Sequence, residues 1–97
     1  MASVDKQGSR LIVKNAMTVE TAGSLLEEVL PLLIGDVEVD LGEVSDVDST
    51  SISLIFEWLR QSHKKNANVV FSNLPLNLVS LATLYGVLEL IPQQTTH

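Results

Sequence analysis

A chain of 97 residues with 45% hydrophobic and 19% charged residues has the make-up of one folded domain with a thin core, unlike a disordered segment. Its net charge of −6 and pI of about 4.6 argue against nucleic acid as a partner, because no basic patch exists to neutralise phosphates. The absence of cysteine excludes disulfides and thiolate chemistry and suits a reducing cytoplasm.

The N-terminus, Met1-Ala2-Ser3-Val4-Asp5-Lys6, has no apolar core of the kind a signal peptide needs. No apolar stretch approaches the ~20 residues that cross a bilayer, so direct membrane insertion is not expected. The β-branched run Arg10-Leu11-Ile12-Val13-Lys14 predicts a strand, paired with residues 2–7 through a turn at Gln7-Gly8-Ser9. Thr18 is placed as the N-cap of a first helix, with Glu20 in its first turn. Val19, Ala22, Leu25, Leu26, Val29 and Leu33 then recur at helical spacing, until Pro31 and Gly35 end the helix.

Val37-Glu38-Val39-Asp40-Leu41 alternates as a strand, and Gly42–Asp48 reads as a loop. A second helix is expected from about Ser49 to Lys65, a buried strand over Val69-Val70-Phe71-Ser72, and a third helix opened by Pro75 and capped by Gly86. The third helix shares Leu78, Leu81, Ala82 and Tyr85 on one face. Val87–Ile91 reads as a short last strand or extended segment, with a frayed polar tail from Pro92. This order gives a single α/β domain over 1–97: a small mixed sheet of four or five strands with helices mainly on one face.

The second helix carries the functional question. Three hydroxyl residues, Ser49-Thr50-Ser51, follow Asp46 and Asp48 where the helix begins. Ser49 caps the helix, as Asp48 could equally do, or holds a phosphate against free N–H groups and the positive end of the helix dipole. At 100° steps, Ile52, Phe56, Leu59 and His63 point to the core, with Ser53, Glu57 and Arg60 on the polar side. Leu54 and Trp58 fall on a flank, either tucked against a neighbouring helix or offered to a partner. The cations Arg60, His63, Lys64 and Lys65 sit in the last turns, where positive charge offsets the dipole.

No catalytic constellation emerges, so the chain is not read as an enzyme. His63 and His97 have no context of a Ser–His–Asp arrangement, and Asp46 and Asp48 lack the spacing of a calcium loop. The five glycines are scattered, without a phosphate-cradling loop. No metal and no cofactor is expected.

Strand, loop, Asp48-Ser49-Thr50-Ser51 and an apolar helix together resemble the STAS domain family, with its SpoIIAA-like fold of a sheet covered by helices mainly on one face. In that family's anti-sigma factor antagonists the motif is Asp-Ser-Ser-Gly-Leu-Gly, and its phosphorylated serine corresponds to Ser49. Here Ser51 and Ser53 stand where the motif has glycines, on the surface over which an anti-sigma kinase docks. The stretch Leu81-Ala82-Thr83-Leu84-Tyr85-Gly86-Val87, with Leu90-Ile91-Pro92 behind it, resembles the family's MlaB-like branch, small STAS subunits of phospholipid-trafficking ABC transporters in Gram-negative bacteria.

That resemblance implies a non-catalytic cytoplasmic subunit, peripheral to the inner membrane, that binds an ABC transporter ATPase subunit and through it a membrane permease. Ser49 would lie at the contact, joined by Asp48, Thr50, Ser51, Leu54 and Trp58. The alternative it implies is a signalling phosphoswitch with Ser49 as phosphoacceptor.

Overall fold

The computed structural model describes residues 4–94, in which a mixed sheet of four strands is ordered β1-β2-β3-β4. In chain order these are β1 (Val4–Gln7), β2 (Arg10–Met17), α1 (Ala22–Val29), β3 (Asp36–Val47), α2 (Thr50–Lys64), β4 (Asn68–Ser72) and α3 (Leu76–Leu84), with 3-10 turns at Leu30–Leu32 and Leu88–Leu90. β1 and β2 form an antiparallel hairpin through Gly8, whose φ of +62° suits a glycine in the turn. β2, β3 and β4 run parallel, so α1 and α2 serve as the crossovers that parallel pairing requires.

Parallel register separates the two sheet faces. Leu11 pairs with Val39 and Val39 with Phe71, so these residues and Leu41, Val37 and Val69 point to one side. All are buried in a single apolar core that also takes Leu25 and Val29 from α1, Ile55 and Trp58 from α2, and Leu78 and Ala82 from α3. Burial of that face is what holds the helices to the sheet.

The opposite face is polar yet closely packed around Asp40, which is only 6% exposed. Its carboxylate accepts hydrogen bonds from the Gly42 N–H at 2.8 Å, from Asn73 Nδ2 at 3.1 Å and from Arg10 Nη2. A Cβ at position 42 would lie 3.1 Å from Asp40 Oδ1 and 3.2 Å from the Asn73 Cβ, so the chain needs a glycine there. Burial alone pushes the Asp40 carboxyl up, but the Gly42 N–H, the Asn73 amide and the Arg10 guanidinium together hold it below the usual range.

Several expectations are corrected. Gly42–Asp48 is not a loop: β3 continues to Val47 and pairs with β2 to its end, past register shifts between Ile12 and Lys14 and between Asn15 and Ala16. The first helix begins one turn late, because the Thr21 hydroxyl accepts the Thr18 N–H and donates to the Ala16 carbonyl. Val19 is therefore exposed, outside the helix. In place of a last strand, Leu88–Leu90 forms a 3-10 turn, and Tyr85 is half exposed.

The polar tail is tied down as far as Gln94, since the Phe71 N–H donates to the Pro92 carbonyl and the Gln94 N–H to the Phe71 carbonyl, both at 2.8 Å. Residues 2 and 3 of the expected first strand, and His97, lie outside the described residues.

Candidate functional site

The turn from β3 into α2 is built by Asp48. One carboxylate oxygen accepts the Thr50 N–H at 2.9 Å, and the other accepts the Val19 N–H at 3.1 Å across the gap to the β2–α1 loop. The Asp48 carbonyl takes the Ser51 N–H at 3.0 Å and the Ser51 hydroxyl at 2.7 Å. Asp48 thus satisfies the first free donors of α2 as an N-cap does, and clamps two loops together. The Val19 N–H is the main reason its carboxyl sits below the ordinary carboxylate range; partial burial opposes the shift and the Thr50 N–H and hydroxyl add to it.

Of the two caps expected, Ser49 or equally Asp48, the structure uses Asp48: the φ of −63° and ψ of −20° at Ser49 are already helical and its side chain makes no capping bond. The cap is one residue earlier, and the Ser49 hydroxyl is exposed and unbonded. Ser51 is fully buried, its hydroxyl committed to the Asp48 carbonyl, so it does not fill a docking surface.

Trp58, expected as a contact, is fully buried and stacks on Phe71 with ring centroids 6.4 Å apart and planes 19° from parallel. It is packed against the sheet rather than a neighbouring helix, and no partner can reach it in the folded domain. His63, expected at the core or its edge, faces solvent.

Leu54 is buried too, but it forms the floor of a groove of about 290 Å³ between α1 and α2, lined also by Ala22, Gly23, Leu26, Thr50, Ser53 and Glu57. Of the expected contact set, the structure gathers Asp48, Ser49, Thr50 and Leu54 at one end of α2 and withdraws Ser51 and Trp58. The α1 residues Ala22, Gly23 and Leu26 were missed. Their i, i+1, i+4 spacing of small and apolar residues was visible, but what they face depends on the α1–α2 packing. A slightly larger cleft of about 340 Å³ lies elsewhere, between the β1–β2 turn and the Leu30–Leu32 turn, and brings together no polar group the family motif uses.

Among the described residues no group of three or more His, Asp or Glu side chains is placed to hold a metal, and no helix is long and apolar enough to cross a membrane.

The depressed carboxyls of Asp48 and Asp40 have a pH consequence. A carboxylate whose folded pKa lies below its unfolded value of ~3.9 adds stability that is complete above that pH and is lost as pH falls through the folded value. The melting temperature is therefore expected to hold between pH 7 and about 5 and to fall below about pH 4. Asp48→Asn should lower the melting temperature at pH 7 and flatten the acid limb. An acid limb as steep as that of the parent would refute the role given to this carboxylate.

A family model described as MlaB, STAS domain, matches residues 2–92. No curated protein matches the chain in sequence. Among solved structures the chain is similar to a candidate anti-sigma factor antagonist from Thermotoga maritima, at 13% identity and TM-score 0.76, over 96% of this chain and 85% of that one. It is also similar to the anti-sigma factor antagonist SpoIIAA in its unphosphorylated form, at 8% identity and TM-score 0.70, over 95% and 86%. A STAS domain protein from Planctomyces limnophilus matches at 15% identity and TM-score 0.68, over 97% and 89%. At such identities these likenesses establish the SpoIIAA-like fold and nothing finer.

Proposed function

The chain belongs to the MlaB-like STAS domain family, and we propose on that basis that it is a non-catalytic subunit of a phospholipid-transporting ABC transporter. It docks on the cytoplasmic ATPase subunit through the N-terminal end of α2 and so sits peripheral to the inner membrane. The observation that carries this reading is the family-model match along nearly the whole chain. The geometry supports it: an exposed, unbonded Ser49 stands next to Thr50, which lines an apolar groove, and the Asp48 clamp holds this turn in place. Rigid presentation lowers the ordering cost of docking. Co-expression with the transporter's ATPase, followed by affinity capture and size exclusion, is expected to give a stable complex. Free chain and free ATPase eluting separately at micromolar concentration would contradict the assignment.

A second reading has one observation in its favour. The Ser49 hydroxyl is accessible, as a phosphoacceptor must be. An antagonist-type phosphoswitch predicts a single phosphate on Ser49, visible by mass spectrometry after incubation with a cognate kinase and absent in Ser49→Ala.

A further inference from the structure

Resting on the docking reading above, we propose that the α1–α2 groove receives an apolar side chain of the partner protein, flanked there by lysine or arginine. The first observation is Gly23. It is the second residue of α1, a helical position at which alanine would be at least as favourable. Its φ is not in the left-handed region, and a Cβ built there would meet nothing within 4 Å. The free domain has neither a backbone nor a packing need for glycine at this position, in contrast to Gly42. What the missing side chain does is keep one wall of the groove low beside Ala22, Leu26 and Leu54, leaving room that docking fills.

The second observation is the placement of charge. Glu20, Asp46 and Asp48 lie at this end of the molecule, where Asp48 holds the Val19 N–H beside Glu20 and Asp46 stands one residue before the end of β3; Glu57 lines the groove but is balanced by Arg60. Among the described residues, none of the ion pairs involves Glu20, Asp46 or Asp48. The nearest cation along α2, Arg60, is engaged by Glu57 at 2.8 Å. His63, Lys64 and Lys65 sit at the far end of α2, about 20 Å away at 1.5 Å per residue. Arg10 and Lys14 are held by Asp40 and Asp5. The docking end is thus acidic around an apolar centre, and the complementary surface is basic around an apolar knob.

The test measures the affinity of the full-length chain for the transporter's ATPase subunit at rising NaCl, with Gly23→Leu and the double variant Glu20→Gln/Asp46→Asn alongside. Affinity is expected to fall at least about tenfold between low and high salt, chiefly through slower association. The double variant should bind more slowly and with a weaker salt dependence. Gly23→Leu should fold with an unreduced melting temperature and lose binding about tenfold or more. Salt-independent binding, or Gly23→Leu binding as the parent does, overturns the proposal while leaving the ATPase assignment intact. No complex with the parent chain at any salt overturns both. A chain that dimerises alone and is made monomeric by Gly23→Leu would identify a second copy as the occupant, and that too overturns it.

Discussion

Trp58→Ala is expected to lower the unfolding free energy by about 3–5 kcal/mol, the range for emptying a large aromatic site from a close-packed core. Trp58 is the largest fully buried side chain of the domain and lies on Phe71, which is itself buried on the sheet. Since small domains have only about 5–15 kcal/mol to lose, much of this variant should be unfolded at 37 °C. Urea unfolding followed by circular dichroism measures it; a loss below about 1 kcal/mol would show that the core closes over the gap. Trp58→Phe should cost much less, because it keeps a ring and the indole N–H it discards has no hydrogen-bond partner. An alanine at position 58 is consequently a poor probe of docking: lost binding there reports lost fold.

Ser49→Trp should behave in the opposite way. Ser49 is exposed, already helical and makes no side-chain hydrogen bond, so stability should stay within about 0.5 kcal/mol of the parent. The bulk of an indole next to Thr50, which lines the groove, would hold any partner off the end of α2. The expected loss is about 2 kcal/mol or more of binding energy to the ATPase, roughly thirtyfold or more in Kd, whereas Ser49→Ala should change Kd by no more than about twofold. Calorimetry or interferometry with the purified subunits decides it. Parent-like affinity in Ser49→Trp would move the interface away from α2.

Much of the architecture was legible because local chemistry and tertiary placement agree. Pro75 opens α3 and Gly86, at φ +71°, closes it; the alternation at 37–41 and the apolar run at 69–71 are paired neighbours in the sheet. The orientation of α2 was not legible, for an identifiable reason. The apolar pattern alone leaves out Ser51 and Ser62, yet both are buried, with hydroxyls donating to the carbonyls of Asp48 and Leu59 three residues back. Including them turns the buried face by roughly 80° at 100° per residue, which brings Trp58 and Leu54 inward and puts His63 outside.

The second half of β3 was hidden for a different reason. The register shifts near Lys14 and Ala16, with Asn15 at a φ of +69°, break the alternation that marks a paired strand. At the site, the Asp-Ser dipeptide pointed to the correct turn, but which of its two residues caps the helix depended on a backbone angle at Ser49.

The hydrogen bonds between Phe71 and the segment Pro92–Gln94 also limit how the molecule can associate. That segment pairs with the outer side of β4 at Phe71, so the middle of this edge is not open to a strand from another chain. The other edge, β1, ends in Asp5, Lys6 and Gln7, a short charged stretch that discourages strand addition. With both borders of the sheet blunted, ribbon-like growth is suppressed, and specific assembly is left to the helical layer.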